Sequence, residues 1–446
     1  MRKSPVVWTF EEMIESLRSA VNTFDDKRTG KNKHYEMIDA AAGAFSVFFT
    51  QCPSFLSHQQ LLQQRYGLSN AKTLLGMHDI PSDNHIRDLL DPVAPSSLDP
   101  VFETCFDALR RSGHLETFRV QLGKKGNDLL VALDGTEYYS SDTHRCKNCS
   151  VRIREGVTRY CHGMVTPTLV APGNNKVISL PPVFITPQDG DSKQDCELKA
   201  SKRWIKKQQK RSWNTDTITF LGDDLYAHEP FCADLLQSRH SFILVCKPDS
   251  HKTLYGWVKG ITKEKVIDKF DGKTHQIYTY KYIEEVPLRD GKDSLLVNFV
   301  EVTVTERKTG KQIYHNAFIT NHPLTEETIP VIVACGRSRW KIENENNNTL
   351  KTKGYHLEHN FGHGKKYLAS LLATMNILAF LFHTMLEFMN KKYKLLRIAL
   401  GARKRFFNDI RTLLIYLPFK SFDNLLDFMI KGFKKPYDLE ALQVPI

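Results

Sequence analysis

The chain has 446 residues, which is enough for two or three domains and ample buried core. Its 62 lysines and arginines outnumber its 50 aspartates and glutamates, for a net charge of +12. This excess favours a polyanionic partner such as DNA, although a basic surface that only keeps the protein soluble has the same charge. The nine cysteines are scattered except for one cluster, which argues against a disulfide-bonded secreted scaffold and for a reducing cytoplasm.

Residues 1–120 predict a helical N-terminal domain. The first residues lack the long apolar run of a secretory signal, so no export is expected. Residues 57–66 have helical apolar spacing with Gly67 as a stop, and residues 81–90 begin with capping residues. Two such helices with a turn between them could form a DNA-binding module, but helix pairs are also common packing units.

Residues 121–247 predict the first part of an α/β core. Apolar and β-branched runs indicate strands and longer amphipathic runs indicate helices. The predicted order is a strand at 128–134, strands around 160–171 and 176–186, a helix at 193–211, a strand at 217–223, a helix at 229–238 and a strand at 241–247. This order is the one that a ribonuclease-H-like sheet requires, although period and length alone also fit other α/β sheets.

The remainder of the chain divides into three predicted regions. Residues 248–332 contain alternating aromatic and β-branched residues and predict a β-rich insertion. Residues 333–390 are helix-compatible and are expected to complete the core. Residues 391–446 carry twelve lysines and arginines against five acids, and predict a basic helical C-terminal region suited to DNA or an acidic partner.

Residues 368–388 form the longest apolar stretch of the sequence. They contain Asn376, His383 and Glu387, which a membrane interior disfavours. The sequence therefore predicts a buried helix at this position and no membrane partner.

Three acids stand at positions typical of a metal-dependent nuclease site. Asp134 and Asp223 each end a short apolar strand, and Glu343 lies in a polar, helix-compatible stretch. Carboxylates gathered this closely repel one another, so the pattern implies bound divalent cations. Asp224 follows Asp223, but neighbouring residues on a strand face opposite sides, so only one of the two is a ligand. Glu345 is turned about 200° away from Glu343 on a helix.

The three segments resemble the DDE transposases of bacterial insertion sequences. The matching pieces are Leu133-Asp-Gly-Thr-Glu137, Leu221-Gly-Asp-Asp-Leu-Tyr226 and Arg339-Trp-Lys-Ile-Glu343, and the last is similar to the Arg-Trp-x-Ile-Glu part of the YREK signature. The sequence departs from this signature twice. The Tyr of the signature is replaced by Gly336, and its Lys falls on Leu350, with Lys351 one position late.

The resemblance implies a ribonuclease-H-like α/β fold and a catalytic triad of Asp134, Asp223 and Glu343. It implies two Mg²⁺ (or Mn²⁺) ions held by these acids, and cleavage and strand transfer of double-stranded DNA by a homodimer in the bacterial cytoplasm, associated with the nucleoid. Arg339 and Lys351 would contact the DNA. Two alternatives are a catalytically inactive DNA-binding protein, such as a degenerate transposase or a repressor, and a metal-dependent nuclease without strand transfer.

The predicted helix 193–211 carries a dense run of cations at 202–211 with no acid. Trp204 and Ile205 of this run can face the sheet while the cations contact phosphates. The DNA-contacting residues expected here are Lys206, Lys207, Lys210 and Arg211. A solvated helix face without a partner is the alternative.

One cluster of cysteines and histidines has metal-ligand spacing. Cys146 and Cys149 form the thiolate pair typical of structural zinc, and Cys161 or His162 could complete four ligands. The alternative is a set of buried thiols in a β-hairpin, since no second Cys-x-x-Cys pair is present.

Three more histidines lie between Gly354 and Gly364, after the Glu343 segment: His356, His359 and His363. They could bind phosphate, orient the site or ligate metal. The glycines break helical spacing, so capping and hydrogen bonding within a loop fit equally well.

Overall fold

The computed structural model describes residues 8–29, 33–122, 127–187, 196–209, 216–260, 263–270 and 274–433. These residues form a mixed α/β protein in which a long mixed sheet is joined to a helical body. In chain order the strands are β1 (Arg119–Val120), β2 (Asp128–Ala132), β3 (Gly135–Ser141), β4 (Ser150–Arg154), β5 (Val157–Val165), β6 (Thr168–Val170), β7 (Ile178–Ser179), β8 (Val183–Ile185), β9 (Ile218–Gly222), β10 (Ser241–Val245), β11 (Lys263–Phe270), β12 (His275–Pro287), β13 (Leu296–Glu306) and β14 (Gln312–Thr320).

The helices flank the sheet and build the rest of the fold. In chain order they are α1 (Phe10–Val21), α2 (Met37–Phe49), α3 (Phe55–Gln63), α4 (Gly67–Leu75), α5 (Asp83–Leu90), α6 (Asp99–Arg111), α7 (Glu197–Gln208), α8 (Glu229–Gln237), α9 (Lys252–Val258), α10 (Thr328–Arg337), α11 (Asn348–Thr352), α12 (Leu368–Met389), α13 (Lys391–Leu400), α14 (Arg403–Tyr416) and α15 (Phe422–Lys431). A π-helical turn, Ile342–Asn347, leads directly into α11.

The main sheet has the strand order β11-β12-β13-β14-β10-β9-β2-β6-β7 in the described part of the chain, and β1 pairs beside β2. At its centre β2 pairs parallel with β9, and β9 pairs parallel with β10. On the other side β6 runs antiparallel to β2, and β7 runs antiparallel to β6. Every residue of β2 and β9 is buried, which explains why both strands are nearly continuous apolar runs.

A second, smaller sheet follows directly from the central strands. Its order is β3-β5-β4, and β8 pairs with β5. The chain passes from β2 into β3 and from β5 into β6, so the antiparallel pair β3–β5 continues the direction of the pair β2–β6. The small sheet therefore begins beside Asp134.

The β-rich character predicted for residues 248–332 is confirmed. After α9, the four strands β11 to β14 form an antiparallel meander. Because β14 pairs with β10, this meander extends the main sheet and is not a detached module.

The helix α12 is the centre of the helical body. Its most apolar 18-residue window is 89% buried, although its length and composition alone would also permit a membrane span. The Phe45 ring of α2 packs edge-on against Phe382 of α12, with ring centroids 5.1 Å apart. The buried helix predicted at 368–388 is therefore confirmed.

The N-terminal and C-terminal helices share one core. Asn70 of α4 donates from Nδ2 to the carbonyl oxygens of Leu414 and Leu417, at 2.7 and 2.8 Å. Phe10 of α1 and Phe422 of α15 pack with ring centroids 4.5 Å apart. The segments that the sequence analysis treats as separate ends of the chain thus pack together.

The prediction that helices at 57–66 and 81–90 are joined by a turn is wrong. The first helix ends at Gln63, and α4 lies between it and the second helix, α5. Gly67 does not stop a helix but begins one. A Cβ at this position would lie 2.4 Å from the carbonyl oxygens of Leu61 and Leu62, so close backbone approach requires the glycine.

Candidate active site

Asp134 and Asp223 lie at the same edge of the main sheet. Each follows the end of its strand, and β2 and β9 are parallel neighbours, so their carboxyl ends meet. The Leu133 amide donates to the Leu221 carbonyl at 2.8 Å, which extends the pairing to the residue next to Asp134. The sheet thereby brings together two acids that lie far apart in the sequence.

Asp223 and Asp224 have different surroundings. Oδ1 of Asp223 accepts a local hydrogen bond from the Leu225 amide, at 3.0 Å, and the charge of Asp223 acts on Asp134. Asp224 instead accepts hydrogen bonds from the Lys247 amide and from the Ser250 hydroxyl. The structure thus places Asp223 with the other acids, and Asp224 fixes the segment after β10.

Glu343 lies in the π-helical turn, with Arg339 beside it. Nη1 of Arg339 is 2.7 Å from Oε1 of Glu343. Arg339 is 8% exposed, and among the described residues its Nε and Nη1 find no partner with hydrogen-bond geometry. The ion pair therefore holds a buried guanidinium beside Glu343.

Polar side chains dock the Glu343 turn onto the strands. Asn347 donates from Nδ2 to Oδ2 of Asp134 at 3.0 Å and accepts from the Thr166 hydroxyl at 2.7 Å. The neighbouring Asn346 accepts from the Ser179 hydroxyl at 2.7 Å. These contacts link the turn to three strand ends. Because both asparagines are buried, the loss of any partner would leave an unsatisfied polar group inside the protein.

The π-helical turn shifts the facing of the residues that follow Glu343. A π turn contains roughly one residue more than an α turn, so a residue eight positions after Glu343 reaches the face that a residue seven positions later occupies on an α-helix. Leu350, at the position seven residues after Glu343, is fully buried. Lys351 is partly exposed and forms an ion pair with Glu358 at 2.7 Å.

The close packing of helix α10 against β14 requires a glycine at position 336. A Cβ at this position would lie 2.6 Å from the ring of Phe318 on β14. Helix α10 packs so closely against this strand that a larger side chain at Gly336 would have to displace the Phe318 ring.

Asp134 is the most perturbed acid of the site. Burial raises its pKa to about 7, and the carboxylates of Glu197, Glu343 and Asp223 act in the same direction. Arg339 opposes them as the cation that acts on this carboxyl. The raised pKa indicates that carboxylates of like charge surround Asp134 and that the guanidinium of Arg339 does not offset their effect.

Glu197 is a fourth acid of the site, and the sequence analysis missed it. It stands at the first position of α7, where its Oε1 accepts hydrogen bonds from the Gly135 amide at 2.9 Å and from the Tyr226 hydroxyl at 2.7 Å. A Cβ on Gly135 would lie 2.3 Å from this carboxylate, so the glycine makes room for it. Burial and the charge of Asp223 raise the pKa of Glu197.

The four acids could hold hard divalent cations, but no three of them have carboxylate oxygens within 4.8 Å of one another. Four carboxylates from two strand ends and two helical segments act on one another with little compensating charge. Oxygen ligands of this kind are those that Mg²⁺ and Mn²⁺ prefer, and bound cations would remove the repulsion. Asp134, Asp223 and Glu343 would hold such ions, with Glu197 beside them.

The predicted basic helix is present as α7. Trp204 and Ile205 are buried against the sheet as expected. Lys206 is exposed, and Lys207 is exposed and forms an ion pair with Asp99. Lys210 and Arg211 lie outside the described residues.

The expected zinc cluster needs one correction. His162 lies with Cys146 and Cys149, but Cys161 does not, because neighbouring residues on β5 face opposite sides of the sheet. Sγ of Cys161 faces Oγ of Ser140 at 3.8 Å. The fourth member of the group is His363, one of the three loop histidines.

No model of a known protein family matches the chain, and no curated protein matches it either. The interpretation of the site therefore rests on its residues and their contacts.

If Asp134, Asp223 and Glu343 hold metal for DNA cleavage, Glu197→Gln should lower that cleavage by about ten- to a hundredfold, because Glu197 would support these ligands. Nicking of supercoiled plasmid in Mg²⁺ measures the effect. The control is Glu264→Gln on β11, where the side chain is exposed. Unchanged cleavage by Glu197→Gln would mean that this acid only anchors α7.

Asp134 should make the stability of the Mg²⁺-free protein depend on pH. Its pKa is about 7 in the folded state, against the ordinary value of 3.8. Between pH 3.8 and about pH 7, the folded state therefore binds more protons than the unfolded state. Stability therefore falls as pH rises from about 4 to about 7. We expect Asp134→Asn to raise the free energy of unfolding at pH 8 by roughly 1–2 kcal/mol, and by less at pH 5.

Urea denaturation in Mg²⁺-free buffer at both pH values measures this difference. Asp290→Asn in an exposed turn is the control and should change stability at neither pH. Equal stability of the wild type and Asp134→Asn at pH 8 would contradict the repulsion inferred for the site.

Proposed function

We propose that this protein is a DDE transposase that cleaves DNA at the ends of a mobile element and joins them to target DNA. The observation that carries the proposal is the convergence of Asp134, Asp223 and Glu343. Each comes from the segment that carries the resemblance, and the charges of Asp223 and Glu343 raise the pKa of Asp134. Four acids with one buried arginine are hard to explain as a structural device, since unbalanced buried charge costs stability.

The central strands support a ribonuclease-H-like core. In the order β7-β6-β2-β9-β10, the first strand of the core, β2, lies in the middle. On one side, β6 runs antiparallel to β2 and β7 runs antiparallel to β6. On the other side, β9 runs parallel to β2 and β10 runs parallel to β9. Helix α7 connects the two halves, and the Glu343 turn follows the β meander, as the resemblance implies.

Each side chain has a distinct part in the proposed reaction. Asp134, Asp223 and Glu343 would hold two Mg²⁺ or Mn²⁺ ions, which when bound activate the attacking oxygen and stabilise the leaving oxygen. Arg339 would orient Glu343 through their ion pair. Asn347 fixes the Asp134 carboxylate relative to the Glu343 turn.

The chemistry consists of two displacements at phosphorus. In the first, a water oxygen bonds to the phosphorus at the element end, and the 3′-oxygen leaves and takes a proton. In the second, that 3′-hydroxyl loses its proton and attacks a target phosphodiester, whose own 3′-oxygen leaves. One P–O bond forms for each that breaks, so neither step needs a covalent bond between protein and DNA.

The decisive experiment uses purified protein with the DNA that flanks its own gene. Incubation with Mg²⁺ and sequencing of the products should reveal element ends joined to new positions. Cut ends that never join would indicate a nuclease without strand transfer. Binding without any cut would indicate an inactive DNA-binding protein. Whether the protein acts as a homodimer on DNA can be read from the mass of the same complexes.

Single replacement of Asp134, Asp223 or Glu343 by Ala should lower cleavage by more than about a thousandfold and leave DNA binding largely intact, because these acids hold metal and do not attract phosphate. A nicking assay and a binding titration on the same preparations measure the two effects. Asp224→Asn is the matched control, since Asp224 contacts the Lys247 segment. If Asp224→Asn stops cleavage while Asp223→Ala still cuts, the assignment of the ligand is reversed.

The cations of the basic run 202–211 should contribute to DNA affinity without regard to DNA sequence. Replacing Lys206, Lys207, Lys210 and Arg211 by Ala should weaken binding to specific and random duplexes alike. Each lost phosphate contact should reduce the slope of log K against log salt by about 0.9. An unaltered slope would mean that the run is ordinary solvated surface. A double change of Lys308 and Lys311, in the turn between β13 and β14, is the matched control for the double change of Lys206 and Lys207, because each removes two positive charges.

A further inference from the structure

A second cluster of ligand-type side chains lies apart from the acids. Cys146 and Cys149 come from the connection between β3 and β4, His162 from β5, and His363 from the loop between α11 and α12. One ligand atom from each of the four lies within 4.8 Å of all the others. Three separate segments of the chain therefore converge on one point.

The distances within the cluster are those of a tetrahedral zinc site. Zinc bonds of about 2.3 Å to sulfur and about 2.0–2.1 Å to nitrogen would set ligand atoms about 3.8 Å apart for S–S, about 3.6 Å for S–N and about 3.3 Å for N–N. The Sγ atoms of Cys146 and Cys149 are 3.8 Å apart. The three recorded Sγ–Nε2 distances are 3.6, 3.4 and 3.6 Å, and the two Nε2 atoms are 3.0 Å apart.

Local structure holds the ligands in place. The Cys146 amide faces Sγ of Cys149 at 3.3 Å, and the Cys149 amide donates to the Cys146 carbonyl at 3.2 Å, which closes a tight turn around the two thiols. His162 and Cys149 are 4% and 5% exposed. The ring of His162 packs against Tyr138, with centroids 5.8 Å apart.

A disulfide does not explain the pair. Its sulfur atoms would be about 2.05 Å apart, and the two cysteines are free at almost twice that separation. Buried thiols alone do not explain the two histidines, whose Nε2 atoms face each other at 3.0 Å. In neutral rings one of these nitrogens can donate a hydrogen bond to the other, whereas a shared cation would accept a lone pair from both nitrogens and also engage the two thiolates.

We propose that Cys146, Cys149, His162 and His363 bind one structural Zn²⁺ ion. Two thiolates and two imidazoles are a set that favours zinc over Mg²⁺ or Mn²⁺. Four protein ligands leave no open position for water or substrate, so the ion stabilises the fold and takes no part in cleavage. This inference does not rest on the proposed function.

The ion would fasten the loop after α11 to the small sheet that begins beside Asp134. Asn148, between the two cysteines, donates to the Lys366 carbonyl at 2.7 Å in that loop. The carboxylate of Asp91 accepts from the amides of Lys365, Lys366 and Leu368, which ties the far end of the loop to the helical body. The zinc would complete a link between the helical body and the strands.

The test is the metal content of the full-length protein, purified without chelator. Elemental analysis should find about one zinc per chain, and X-ray absorption of the wild type should give a shell of two sulfur and two nitrogen atoms. Cys149→Ser and His363→Asn should each lose most of the zinc. Two matched controls should keep it: Cys161→Ser, which neighbours His162 on β5, and His359→Asn, in the same loop as His363.

Several outcomes would overturn the proposal. These are the absence of zinc from the wild type, retention of zinc by Cys149→Ser and His363→Asn, and loss of zinc from Cys161→Ser. If the ligand variants are insoluble, the absorption shell of the wild type decides alone, and a shell without two sulfur atoms rejects the site. Because these measurements involve no DNA, they are independent of any result on cleavage.

Discussion

The parallel pairing of β2 with β9 is the constraint on which the candidate site depends. It places Asp134 and Asp223 at one sheet edge, at the end of two strands whose every residue is buried. Strands held this way cannot move apart to relieve repulsion between the acids without breaking the core of the protein. Burial and the neighbouring carboxylates together raise the pKa of Asp134. A rigid scaffold of this kind would keep the acids preorganised for the cations proposed above.

The Glu343 turn depends on a different kind of contact. Polar side chains, and not apolar packing, hold it on the strands: Asn347 contacts Asp134 and Thr166, and Asn346 contacts Ser179. Such networks are specific, because a shift of the turn would leave several buried groups unsatisfied at once. The π-helical geometry turns consecutive asparagines towards the sheet and leaves Glu343 free to approach the acids. The turn is therefore an element of the site and not an irregularity of the helix.

The sequence predicted the features that local patterns encode. Asp134 and Asp223 end apolar runs, and alternation of residue types marked the β meander. Glu197 was missed, because its role comes from tertiary contacts with Gly135 and Tyr226, and in the sequence it is only an acid at a helix start. His363 was considered without its partners, since the loop that carries it meets the small sheet only in the folded chain. The choice between Cys161 and His162 was within reach of the sequence: Cys161 and His162 are neighbours on a strand, so only one of them could face the two thiols.

The pairing of β14 with β10 has a consequence for how the chain can be divided. Without the segment from α9 to β14, β10 would become an edge strand with unpaired amides and carbonyls along an apolar surface that includes Phe242, Ile243 and Leu244. Exposed edges of this kind associate with other chains. The meander thus acts as a cover for the core sheet as well as an extension of it. A shortened protein that keeps all the acids but omits these strands would be prone to aggregate, so a soluble fragment has to retain at least β14.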